Sequence, residues 1–133
     1  MMILSIDHIV ITVSDMKKTI HFYCDILGME INQFYSKSDN TYRKSLKFGE
    51  QKINLHDASN PYKPNAEVAL PGTLDICFLT DEPLSHWIKT FNKNNVTIES
   101  GPVFKTGAIG PIESIYVRDP DKNLIEISNQ IIN

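Results

Sequence analysis

Cysteine is scarce in this chain: two occur in 133 residues, Cys24 and Cys77. They form no C-x-x-C pair, which excludes a disulfide-stapled scaffold and a paired-thiol redox or zinc motif. Both sit among apolar neighbours and are read as reduced core thiols. An excess of one charge is lacking too. Thirteen Lys and Arg stand against sixteen Asp and Glu, for a net charge of −3. The signs are interspersed, with no basic stripe or run, so nucleic acid and anionic membrane surfaces are excluded as partners. A small-molecule substrate remains the expected partner. No apolar run approaches the roughly 20 residues of a membrane helix. Met1-Met2-Ile3-Leu4 lacks the basic segment and cleavage site of a secretory signal, so a cytoplasmic location is expected.

What is present is punctuated periodicity. Ile6-Asp7-His8-Ile9-Val10-Ile11-Thr12-Val13 is a β-branched run of strand length. Ser14 and Asp15 are good helix N-caps. Beyond them Met16, Ile20, Tyr23 and Leu27 fall on one helical face, and Gly28 suits the position after a helix. Strands are expected at Glu30 to Tyr35, Tyr42 to Phe48 and Lys52 to Asp57. Residues 58–71 hold three prolines, Pro61, Pro64 and Pro71, and no period, which marks a linker. The pattern then returns. Leu74 to Thr80 reads as a strand. Asp81 is the expected N-cap of a helix with Pro83 in its first turn and Leu84, Trp87, Ile88 and Phe91 on its apolar face. Val96 to Ile98, Ser114 to Val117 and Leu124 to Ser128 are the remaining expected strands.

The order β-α-β-β-β thus occurs twice. His8 corresponds to Asp75 at an offset of 67, as Met29-Glu30-Ile31 corresponds to Val96-Thr97-Ile98; Asn54 corresponds to Glu126 at 72. The difference places an insertion between Ile98 and Ser114, where Gly101 to Pro111 reads as a long loop, either one that binds a ligand or a tolerated surface insertion. The fold class expected is α+β: two tandem βαβββ modules forming a cupped mixed sheet with outer helices. It is one domain over 1–133, with module one about 4–57, the linker about 58–71 and module two about 72–130.

The repeat also singles out side chains. Each module contributes one polar residue from its first strand and one from its fourth: His8 and Asn54, then Asp75 and Glu126. Glu126 alternates with Ile125 and Ile127, so it faces the other side of its sheet from them. An imidazole and two carboxylates sharing one cavity would be costly without a counter-charge. A divalent cation resolves this and leaves positions open for substrate.

Several motifs in order carry a resemblance: Asp7-His8-Ile9; Phe22-Tyr23 to Leu27-Gly28; and Asp119-Pro120-Asp121 followed by Asn123-Leu124-Ile125-Glu126. Over essentially the whole chain they resemble the vicinal oxygen chelate (glyoxalase/bleomycin resistance/extradiol dioxygenase) superfamily. Lys52-Ile53-Asn54-Leu55-His56, Pro71 to Cys77, and Thr106 to Ile112 resemble the group around glyoxalase-domain-containing protein 5 and its bacterial relatives. The resemblance implies that His8, Asp75 and Glu126 are metal ligands. His8 and Glu126 match the family's residue types. Asp75 stands where most members place a histidine, and Asn54 where glyoxalase I has a glutamate. A His-Asp-Glu set favours hard ions, so Mn, Fe, Ni or Zn is the expected divalent metal ion, with Mg also compatible.

The resemblance further implies a metal-dependent enzyme in which the metal chelates vicinal oxygens of a small substrate, as a lyase/isomerase or a dioxygenase. Glu126 and His56 are the groups expected to move a proton, and His56 shares the strand parity of Asn54. Tyr116 lies ten residues before Glu126 and is similar to a substrate-contacting tyrosine of the fosfomycin-resistance enzymes. Lys105 and the glycines around it are read as a holder for an anionic group. His21 and His86 are read as solvated. The competing class is a sequestering protein of the bleomycin-resistance type, and a third is a degenerate member kept for protein contacts. Such proteins often dimerise, so a homodimer is expected.

Overall fold

The computed structural model describes residues 2–132. The chain divides into two compact units, Met1–Gly72 and Thr73–Asn133. Each repeats the same plan of strand, helix and three strands.

In the first unit β1 (His8–Val13) runs parallel to β4 (Gln51–Asp57), and the sheet order is β1-β4-β3-β2, with β2 at Glu30–Ser36 and β3 at Thr41–Phe48. Helix α1 (Met16–Ile20) continues without a break into a π-helical turn, His21–Ile26. Asp15 caps it as expected, its carboxylate accepting from the Lys18 amide at 3.0 Å. Gly28 ends it at φ +81°, a left-handed conformation that costs glycine little. Alternation along the strands sends Val13, Leu46, Ile53 and Leu55 to the packed side, where Phe22 and Tyr23 also lie buried.

In the second unit the order is β5-β8-β7-β6, again with a parallel first pair. Its elements are β5 (Asp75–Leu79), α2 (Leu84–Lys93), β6 (Ser100–Thr106), β7 (Pro111–Arg118) and β8 (Leu124–Gln130). Ile115, Val117, Ile125 and Ile127 form the buried side of the sheet, and Leu84 and Phe91 are the buried residues of α2.

Four expectations need correction. Val96 to Ile98 is not a strand; the second strand of this unit begins at Ser100. The expected long loop is mostly that strand. A bulge between Ser100 and Val103 absorbs Gly101 and Pro102, the ladder with β7 resumes, and the turn itself is closed by the Gly107 amide on the Gly110 carbonyl. Asp81 does not cap α2. Pro83 holds that position without a side-chain bond, and Asn129 on β8 does the capping: its Oδ1 accepts from the Leu84 amide while its Nδ2 donates to the carbonyls of Thr80 and Glu82. Finally, neither thiol is a core residue; Cys24 is half-buried and Cys77 exposed, because Cys77 alternates with Ile76 and Phe78 rather than joining them. No described helix is long and apolar enough to cross a membrane.

Candidate functional site

The register of the two sheets makes the repeat explicit. His8 lies beside Lys52, two residues before Asn54, and Asp75 lies beside Leu124, two residues before Glu126. Across the antiparallel pair, Asn54 faces Ser45 and Glu126 faces Tyr116. Each unit therefore offers the same three-position frame: His8, Asn54 and Ser45 in the first, Asp75, Glu126 and Tyr116 in the second. The sequence offsets located the first two positions of each frame and strand parity pointed to Tyr116; Ser45 needed the register.

In the second unit the frame is acidic. Asp75, Cys77, Glu126 and Tyr116 share one face of the sheet. Among the described residues neither carboxylate makes an ion pair. The Tyr116 phenol is pushed above its ordinary value of 10, first by burial, then by the Glu126 charge and by donating its hydrogen to that carboxylate, with Cys77 and Asp75 adding to it. The Cys77 thiol is raised as well. Burial is the main cause, and Glu126 and Asp75 contribute, against a lowering by its bond to Ser128. Both groups therefore sit in a negative field and stay protonated at neutral pH. Ser128 ties the face together, with its Oγ 2.6 Å from Ser114 Oγ, 3.1 Å from Cys77 Sγ and 3.5 Å from Glu126 Oε2.

Two buried residues place this frame. The Asp119 carboxylate accepts from the amides of Asp121 and Asn123 at 2.9 Å and from the Asn123 side chain at 2.8 Å. Asn123 Oδ1 in turn accepts from the Leu74 amide at 2.8 Å, and the Leu124 amide donates to the Leu74 carbonyl at 3.1 Å. The β7–β8 turn thus seizes the residue preceding Asp75 and sets the register that puts Asp75 on the face of Glu126.

A cavity of about 460 Å³ opens on the same face. Glu126 and Tyr116 reach it, Leu79, Ile109 and Ile112 supply apolar wall, and Lys105 contributes a cation. Lys105 therefore stands where a ligand's negative group can meet it.

In the first unit His8 is half-exposed, with Nδ1 2.8 Å from Asp7 Oδ2. Asn54 Oδ1 and Ser45 Oγ are buried without a hydrogen-bond partner. His56 shares the parity of Asn54, as expected, but packs edge-on against Tyr62 with ring centroids 4.9 Å apart and is 8% exposed. Burial, helped by Arg43, lowers its pKa from 6.5, so the ring is neutral at pH 7. His21 and His86 are exposed, as read from their helical positions.

The structure thus gathers Asp75, Glu126 and Tyr116 on one sheet, and His8 and His56 on the other. Among the described residues no three His, Cys, Asp or Glu side chains are gathered as a metal-binding group. The donor chemistry of the second unit still suits a hard divalent ion, with two carboxylates on one face and no ion pair to either among the described residues.

Known proteins match the chain over most of its length. The model of the Glyoxalase/Bleomycin resistance protein/Dioxygenase superfamily matches residues 5–127. Glyoxalase domain-containing protein RDO1 of Mycosarcoma maydis is 48% identical over 94% of this chain and 68% of its own. Virulence protein STM3117 of Salmonella typhimurium is 45% identical over 98% of this chain and 88% of its own. Its crystal structure superposes with a TM-score of 0.88 at 46% identity, covering 98% of this chain and all of that one. Metallothiol transferase FosB of Staphylococcus saprophyticus is 32% identical over 95% of this chain and 77% of its own. The chain belongs to the glyoxalase/bleomycin resistance protein/dioxygenase superfamily.

Proposed function

We propose that the chain is a metal-dependent enzyme acting on a small molecule with two adjacent oxygens, as a lyase/isomerase or a dioxygenase. His8, Asp75 and Glu126 would hold the divalent ion. The observation that carries this reading is the pair Asp75 and Glu126 on one sheet face without an ion-pair partner among the described residues. Similarity to a metallothiol transferase supports it. When bound, the ion supplies Lewis acidity toward a developing oxyanion.

The chain's own residues do the rest. Tyr116 keeps its proton, and that donor, accepted by Glu126 in the free protein, would pass to an anionic substrate oxygen once Glu126 holds the ion. Lys105, at the cavity wall, fixes a negative group. Leu79, Ile109 and Ile112 exclude water from the apolar part of the substrate. Glu126 and the neutral His56 are the groups suited to accept a proton.

The apolar wall also suits a second reading, a protein that binds a small organic molecule without transforming it. Elemental analysis separates the two, with about one metal per chain expected for a three-ligand open site. Asp75→Ala should then lose the metal and the thermal shift on adding Mn²⁺, Fe²⁺, Ni²⁺ or Zn²⁺. A wild-type protein with no metal and no such shift sinks the enzyme reading, and unchanged ligand binding by Asp75→Ala favours sequestration.

A further inference from the structure

The first sheet carries a second polar cluster that the proposed metal site does not use. Arg43 and Ser45 on β3 share a face with Asn54 and His56 on β4, as the β3–β4 register requires. Three atoms there are buried without any hydrogen-bond partner: Arg43 Nε, Ser45 Oγ and Asn54 Oδ1. Ser45 is wholly buried. Buried polar groups are rarely left unpaired, and three at neighbouring strand positions call for a partner from outside the chain.

The groups around them are cationic, and only part of their donor capacity is used. The Arg43 guanidinium stacks on the Tyr62 ring at 4.0 Å, and one of its terminal nitrogens donates to Asp39 at 2.7 Å. Asp39 is pulled down to about 2, first by Thr41 and then by Arg43, so it stays charged and holds that one terminal nitrogen while Nε is left over. The Lys52 ammonium rests 5.1 Å from the Phe34 ring centroid. Lys52 is on β4 and Phe34 on β2, so the lysine side chain crosses β3, the strand that bears Ser45. Tyr62, in the segment between β4 and β5, and the Lys52 side chain cover this face. Aromatic contacts of cations near the surface are weak, and an oxyanion would displace them readily.

We propose that Arg43, Ser45, Asn54 and Lys52 form a binding site for an oxyanion, a phosphoryl or carboxylate group carried by a small molecule. Arg43 Nε–H and the Ser45 hydroxyl donate to it, the Asn54 amide donates after turning its NH₂ inward, and Lys52 supplies a second positive charge. Asn54 turns in this way because its oxygen, as placed, meets no donor. The site stands whether or not the metal reading holds.

The test is isothermal titration of the purified protein with inorganic phosphate and with acetate, at ionic strength matched by chloride, with and without a chelator. Saturable binding of at least one of them, unaffected by the chelator, is expected; phosphate against acetate tells a phosphoryl from a carboxylate ligand. Arg43→Gln and Ser45→Ala should each weaken it, Arg43→Gln by roughly tenfold or more. Asp39→Asn, which frees the guanidinium without removing a donor, should tighten it and needs no change in the cluster itself. Absence of binding to either anion, equal affinity in all variants, or binding that the chelator abolishes would each overturn the proposal.

Discussion

Tyr116 stands directly opposite Glu126 in the ladder between β7 and β8, and the phenol donates its hydrogen to that carboxylate. One strand thus supplies the acid and its neighbour the group that feels its charge.

The Tyr116 phenol should therefore titrate late. Ultraviolet titration should show one tyrosine still protonated above pH 10, the ordinary value. Glu126→Gln removes the charge but not the burial, so the late phenol should move back toward 10 without reaching it. The sign for stability follows: the unfolded chain loses this proton first, so the protein loses stability as pH rises through 10 and beyond. An unshifted phenol in the wild type would refute the pairing.

His56 gives the opposite limb. Its pKa is lowered from 6.5 by burial and by Arg43. Below about 6.5 the unfolded imidazole takes a proton that the folded one resists, so stability present at pH 7 is lost on acidification. Thermal melts between pH 8 and pH 5 should fall more steeply for the wild type than for His56→Asn. Parallel curves would show that His56 is not the group responsible.

Asn123 should matter far more than its place in a surface turn suggests. It is 2% exposed and bridges Asp119 to the Leu74 amide. Asn123→Ala leaves a buried carboxylate and a backbone amide short of partners, at a cost of about 2–4 kcal/mol. Urea unfolding measures that cost. If Asp75 is a ligand, metal affinity should fall in the same variant, since Leu74 is its neighbour.

Gly101 lies in the bulge where β6 breaks its ladder with β7. It sits at φ +101°, and a Cβ there would run into the Ser114 carbonyl oxygen and lie 3.0 Å from Ile115 Cα. Both obstacles are backbone, so they cannot swing aside. Gly101→Ala should destabilise by about 3 kcal/mol, from left-handed strain together with the clash. A variant as stable as the wild type in urea would show that β6 can shift.

Much of this was legible in the residues, and the failures have particular causes. The change from period 2 to period 3.6 at Asp15, and again past Thr80, outlines both units. Strand parity alone places Tyr116 on the face of Glu126. Gly101-Pro102 misled because the same residues that mark loops also make bulges, and the ladder resumes at Val103. The cap of α2 was hidden because Asn129 lies 45 residues beyond Leu84. Tyr62 looked like linker; its stacking on Arg43, 19 positions earlier, is tertiary. The flanks of Cys77 are apolar, but in a strand the neighbours that matter are two residues away, and those are Asp75 and Leu79.

The duplicated three-position frame also bears on how such a protein can change its trade. The frame is set by backbone pairing, so its occupants can be replaced without asking the fold for anything new. One unit now holds two acids and a phenol, the other an imidazole, an amide and a hydroxyl. Asn54 and Ser45 hold no hydrogen bond in place through their buried oxygens. Replacing them removes no hydrogen bond that the fold depends on, so the chemistry of this frame can change while the strand pairing beneath it stays the same.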